Sequence, residues 1–296
     1  MSTTIPAPHR PLVAAAWMTG AIASFSAMAV AGRAVAGELD TFETMLYRSL
    51  VGVVIVLVIG GAMGRLGEVS TRHMGLHLAR NVFHFTGQNL WFFAVPLIPL
   101  AQLFALEFTS PIWVLLIAPL VLGERLTRAR ALAAALGFFG VLIVARPGTG
   151  EISLGVLAAA ASAINFAMTF IFTKLLTRRV STTCILFWLT VMQAPMGLIA
   201  AGIDGDIALP TLITLPWLIL IGCAGLFAHL CVTSALQVAP ATMVVPLDFL
   251  RLPLIAAVGM IFYAEALDAF VLMGAAVIFA ANYFNIWVES RSSKNA

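Results

Sequence analysis

Ten apolar segments of about membrane length follow one another along the chain, and this repetition constrains it more than any motif. They fall near residues 12–32, 42–63, 75–96, 99–121, 128–146, 152–174, 183–203, 213–236, 240–262 and 268–288. A helix of roughly 20 residues crosses about 30 Å of hydrocarbon. In lipid every backbone N–H and C=O must find its partner inside the protein. The alternation of a barrel strand is absent, so the segments are predicted to be helices. Charged residues make up only 10% of the chain and hydrophobic ones 61%, whereas soluble domains carry about 25% charge. There is too little polar surface to cover a soluble fold. The sequence therefore predicts an all-α integral membrane protein with ten transmembrane helices. Residues 12–32 read as a retained first span, because no cleavage-site pattern of small residues follows a short apolar core.

Charge distribution supplies the orientation. The net charge is +3, but no Lys/Arg run is long enough to hold nucleic acid. With the N-terminus inside, 12 of the 16 basic residues fall at the inner ends and loops: Arg10, Arg65, Arg72, Arg80, Arg125, Arg128, Arg130, Lys174, Arg178, Arg179, Arg291 and Lys294. That excess predicts both termini in the cytoplasm. Cys184, Cys223 and Cys231 lie in apolar segments at spacings that suit neither a metal site nor a disulfide framework, so they read as small buried hydrophobes. No motif calls for a cofactor, a metal or a catalytic residue.

The chain also repeats itself at an offset of 141 positions, the separation of Glu124 from Glu265. The same offset pairs Ser24 with Asn165, Arg33 with Lys174, Gln88 with His229, Pro99 with Pro240, Glu107 with Asp248 and Phe138 with Phe279. The predicted halves are residues 1–148 and 149–296. Each holds five spans, an odd number, so the second enters the membrane upside down relative to the first. Inverted repeats of this kind surround a midplane site in alternating-access carriers.

Polar groups inside the apolar segments are the candidates for that site. A charged residue at a helix centre costs about 2.5–3.5 kcal/mol on insertion scales and therefore faces the bundle or a wet cavity. Glu107 lies mid-depth in the fourth segment, and Asp248 mirrors it in the ninth. Arg251, three positions after Asp248, shares its helix face and can pair with it. Glu107 lacks a cation in its own segment; it either meets Arg251 or holds a proton that it exchanges. Asn81, His84, Gln88 and Trp91, at spacings of 3, 4 and 3, share one face of the third segment. His229 mirrors Gln88. Ser24 and Asn165 add polar groups in the first and sixth segments. Trp17 joins the cavity set or anchors the interface. Arg48 reads as mainly structural, snorkelling outward or meeting Glu43 or a neighbouring helix. Prolines 111, 119, 246 and 253 interrupt segments four and nine and free carbonyls beside the carboxylates. Small residues at 133–137 and 274–276 point to close helix packing or a dimer face.

Residues 97–147 carry a recognisable order: an apolar segment with a mid-helix proline, a closing Leu-Gly-Glu-Arg-Leu-Thr turn at 122–127, then a second apolar segment rich in small residues. This resembles the C-terminal half of an EamA repeat of the drug/metabolite transporter superfamily. The second copy departs from the pattern, with Tyr263-Ala264-Glu265-Ala266-Leu267 in place of the Gly-Glu-Arg turn. The resemblance implies a ten-helix carrier in the bacterial inner membrane, acting as a monomer or weak homodimer on a small molecule, with protons as a possible coupling ion. The aromatic and amide residues look most like those of amino-acid exporters. Segments three to five also resemble vitamin- and S-adenosylmethionine-uptake relatives. An intramembrane enzyme is the remote alternative, since neither HExxH, GxSxG nor a paired Asp cluster occurs.

Overall fold

The computed structural model describes residues 11–122, 128–145, 153–238, 247–248 and 250–292. The described residues form eleven helices and no strand: α1 (Pro11–Val35), α2 (Thr41–Ala62), α3 (Met74–Ala94), α4 (Leu100–Glu107), α5 (Ser110–Leu122), α6 (Arg128–Ala145), α7 (Leu154–Thr177), α8 (Thr182–Ala201), α9 (Leu215–Val238), α10 (Arg251–Tyr263) and α11 (Ala269–Ser292). Among the described residues, the fourth apolar segment breaks after Glu107 into two helices. Expectations for the Gly-Glu-Arg turn with Glu124 and Arg125, for Arg10, Arg146, Pro240, Pro246 and for Lys294 concern positions outside the described residues.

Five helices are long and apolar enough to cross a bilayer alone: Leu12–Val35, Thr41–Ala62, Leu154–Thr177, Thr182–Ala201 and Leu215–Ala235. The others are shorter apolar stretches or, like α3, long but polar, and their polar groups are buried. Exposure runs opposite to that of a soluble protein. Val58 is 64% exposed and Ile199 71%, whereas Arg48 is 6% and Asn81 0% exposed. The protein presents aliphatic side chains to lipid and keeps its polar ones inside.

Connections gather on two faces. On one, Thr211 donates to Glu38, Tyr47 Oη donates to the Ala208 carbonyl, and Ala208 N–H donates to Glu43. On the other, Trp188 Nε1 donates to the Ser70 carbonyl at 2.9 Å and Arg179 lies 3.4 Å from His73. Among the described residues, the α1–α2 link thus shares a face with the α8–α9 link, and the α2–α3 link shares a face with the α7–α8 link. Asp40 caps α2 through a reciprocal capping box with Glu43, so Glu43 does not serve Arg48.

The packing obeys the internal repeat. The most extensive interfaces join α1 to α9, α3 to α7, α6 to α11 and α2 to α8. An offset of 141 exchanges the first two interfaces and maps each of the last two onto itself. The fold is therefore two inverted five-helix repeats around an in-plane pseudo-two-fold axis. At α6–α11 the small residues face each other within the chain: a Cβ on Gly140 would lie 2.9 Å from the Gly274 carbonyl, and one on Gly274 would lie 2.8 Å from the Gly140 carbonyl. Cys184 and Cys231 are buried as expected; Cys223 is exposed on α9.

Candidate functional site

The break in the fourth segment builds the first part of the site. Pro111 removes a backbone donor, and the freed groups find other partners. Thr109 Oγ1 donates to the Leu106 carbonyl, Ser110 Oγ donates to the Glu107 carbonyl, and Asn282 Nδ2 reaches the Phe108 carbonyl from α11. Glu107 becomes the last residue of α4 and Arg251 the first of α10. Each is set against its own helix dipole, an anion at a C-terminus and a cation at an N-terminus. The two ends meet, and the charges satisfy each other. Arg251 Nη2 donates to Glu107 Oε1 at 2.8 Å and to Asp248 Oδ2 at 2.9 Å. Trp91 Nε1 donates to the other Glu107 oxygen at 2.8 Å. Aromatic rings complete the box: the Arg251 guanidinium lies 4.8 Å from the Phe25 ring, 4.8 Å from Phe104 and 5.2 Å from Phe108. Such contacts stabilise a desolvated cation by about 2 kcal/mol. Two carboxylates face one guanidinium, and among the described residues Asp248 Oδ1 and Arg251 Nε have no partner.

The second part is a chain of neutral hydrogen bonds. Asn81 Nδ2 donates to the His77 carbonyl at 2.8 Å, which leaves its Oδ1 to accept from Gln193 Nε2 at 3.1 Å. That fixes the Gln193 amide, whose Nε2 lies 2.8 Å from His84 Nδ1. His84 therefore accepts at Nδ1 and carries its proton at Nε2. It donates across 2.9 Å to His229 Nε2, and His229 carries its own proton at Nδ1. Phe25 joins the two parts: its ring meets His229 edge-on at 6.2 Å and Arg251 on its face.

The residues singled out from the sequence are distributed over this frame unevenly. Trp91, Glu107, Asp248 and Arg251 converge in one cluster, and His84 and His229 in the other. Gln88 is buried between them on α3, its Oε1 unpartnered. Asn165 donates to the Ala161 carbonyl of its own helix and packs against Gly87. Ser24 is buried in α1. Trp17 packs in the α1–α9 seam with Ala14, Met18, Cys231 and Ala235, far along α1 from the charged cluster. Of the two alternatives for Glu107, the structure shows the meeting with Arg251, which α10 delivers to it. Arg48 neither snorkels outward nor meets Glu43; it is buried against Gly225 of the neighbouring helix α9. Sequence reasoning missed Gln193, Phe25 and Phe104. Gln193 was detectable as a lone amide in an apolar span. Phe25 and Phe104 are apolar residues in apolar helices and give no such signal.

Two successive matches to the EamA-like transporter family span residues 12–146 and 153–287. The chain is 34% identical over 232 residues to a riboflavin transporter of Rhizobium johnstonii, covering 77% of this chain and 76% of that protein. It is 28% identical over 292 residues to a riboflavin transporter of Vibrio cholerae, covering 97% of each. It is 25% identical over 276 residues to an S-adenosylmethionine uptake transporter of Rickettsia bellii, covering 93% of this chain and 94% of that one. A solved crystal structure shares the fold, with a TM-score of 0.65 at 18% identity over 94% of this chain and 98% of the other. With the repeat, the inverted packing and these matches in agreement, the chain is a member of the EamA-like transporter family of the drug/metabolite transporter superfamily.

Proposed function

We propose that the protein is an inner-membrane uptake carrier for a small heteroaromatic metabolite, a riboflavin-like vitamin foremost. It works by alternating access between two halves that divide near residue 148, with both termini cytoplasmic. The observation that carries this reading is the Arg251 box, in which Trp91, Phe25, Phe104 and Phe108 surround charged groups at the junction of the two halves. Flat aromatic walls suit a planar ring system. The unpartnered Gln88 Oε1 and Asp248 Oδ1 are acceptors for its N–H edge or for hydroxyls. The names of the relatives support uptake of a vitamin or of S-adenosylmethionine; amino-acid export, the first expectation from the sequence, has less support.

A second reading has its own observation. Two carboxylates against one guanidinium favour a cation, which fits an S-adenosylmethionine-like sulfonium better than a neutral flavin. The same surplus would let a carboxylate exchange a proton once substrate engages Arg251. Uptake of labelled riboflavin, S-adenosylmethionine and an aromatic amino acid into proteoliposomes, with and without a proton gradient, separates these readings. Saturable riboflavin uptake abolished by Arg251→Met is the expected result. Transport confined to the amino acid overturns the proposal.

A further inference from the structure

Arg48 is a buried cation without an anion. It lies in α2, eight residues past the Asp40 cap and so about 12 Å along the helix, and it is 6% exposed. Its Nε has no hydrogen-bond partner. The side-chain contact of its Nη1 is Met45 Sδ at 3.8 Å, a weak acceptor. No carboxylate pairs with it among the described residues. A guanidinium does not give up its proton in proteins, and an uncompensated buried ion is strongly destabilising. Something else must balance it.

The surroundings make room for that something. Arg48, Ser49 and Gly52 of α2, Thr190 and Gln193 of α8 and Gly222 of α9 line a small cavity, with space for one water-sized particle. Gly225 bounds it: a Cβ there would stand 2.9 Å from Arg48 Nε and 3.0 Å from Nη2, so any larger residue would displace the guanidinium from α9. The hydroxyls are already committed, Ser49 Oγ to the Met45 carbonyl at 2.7 Å and Thr190 Oγ1 to the Phe187 carbonyl at 3.1 Å. Arg48 lines the same cavity with its Nε unpartnered among the described residues. Arg80, also buried, binds Thr173 Oγ1 through Nε at 2.9 Å and leaves Nη1 bare. It is a second buried cation of the same sign.

We propose that the Arg48 cavity between α2, α8 and α9 binds one monovalent anionic atom, a free chloride or a carboxylate oxygen of a transported solute. The small size of the cavity excludes phosphate or sulfate. A lone water would solvate the N–H groups but leave the charge. The chloride form of the proposal does not depend on which solute is carried.

The test uses the full-length protein in detergent, dialysed into sodium gluconate and titrated with sodium chloride at constant ionic strength while the melting temperature is read. Wild type should gain several degrees saturably, with bromide replacing chloride and sulfate failing to do so. Arg48→Met should abolish the response. Gly225→Ala, which keeps the charge but displaces the guanidinium, should abolish it too and covers the case in which Arg48→Met does not fold. If the solute supplies the anion, chloride has no effect and Arg48→Met lowers S-adenosylmethionine uptake at least tenfold while sparing carboxylate-free riboflavin. A melting temperature indifferent to chloride, with no selective loss of the carboxylate-bearing solute, overturns the proposal. The chloride arm is read without any uptake, so its result stands apart from whether either solute is transported.

Discussion

Arg251 joins both halves of the protein through a single guanidinium. Its nitrogen serves Glu107 from the first repeat and Asp248 from the second, at helix ends whose dipoles oppose both charged partners of the interhelical pair. Residues set against local preference mark function more often than stability. Removing one partner from a buried ion pair costs about 3–5 kcal/mol, so Arg251→Met should lower the melting temperature and abolish uptake. Arg251→Lys should not rescue transport, because an ammonium cannot present a planar face to Phe25, Phe104 and Phe108. Full uptake by Arg251→Lys in proteoliposomes would remove the aromatic box from the mechanism. The amide network makes a separate prediction. Gln193→Leu leaves Asn81 Oδ1 and His84 Nδ1 buried and unpaired, at about 1–3 kcal/mol each. A melting curve unchanged from wild type would show that the network contributes nothing.

At the scale of elements, the informative feature is the break between α4 and α5. Pro111 sits in the first turn of α5, where an N–H would have no helical partner. The carbonyls released there are satisfied by Thr109, Ser110 and Asn282. Side chains hold the break as much as the proline does. Pro111→Ala should therefore change stability by less than about 1 kcal/mol, whereas Asn282→Leu leaves the Phe108 carbonyl without its α11 donor and should cost about 1–3 kcal/mol. Thermal melting of the two variants in one detergent checks the order. The α6–α11 seam is less tolerant. A β-branched side chain at Gly274 would strike Val144 and the Gly140 carbonyl, both part of the backbone approach. Gly274→Val should abolish monodisperse protein on gel filtration, and recovery of normal elution would place the seam elsewhere.

Over the whole molecule, Arg33 links the two repeats on one face. It pairs with Glu265, donates to the Val95 and Ile98 carbonyls, and lies 4.7 Å from the Tyr263 ring. Glu265 also accepts from the Leu100 N–H. These contacts tie α1 and the α3–α4 link of the first repeat to the α10–α11 link of the second. Arg33→Ala should loosen that face and raise the labelling rate of a cysteine placed at Ile98 by an impermeant thiol reagent. The exchanged pair Arg33→Glu with Glu265→Arg should bring it partway back. Labelling equal to wild type in Arg33→Ala would show that the face is closed by packing alone. Reporter fusions at each end should both read cytoplasmic.

The sequence alone determined the membrane class, the helical form, the number of spans and the inverted repeat. Hydrophobic length and a constant 141-residue offset are properties of the chain itself, and lipid forbids unsatisfied backbone whatever the packing. It also located Glu107, Asp248 and Arg251, because a charge in an apolar span has few places to go. What it could not assign was partnership. Glu107 and Arg251 are 144 positions apart, and only the meeting of α4 and α10 makes them a pair. Arg48 has Glu43 nearby in sequence, yet the capping box takes that carboxylate and burial strands the arginine. Phe25 and Phe104 read as ordinary lipid-compatible residues until the tertiary fold turns them onto a guanidinium. Pair energies depend on distances of a few ångströms between helices, and those distances are decided by how the two halves pack.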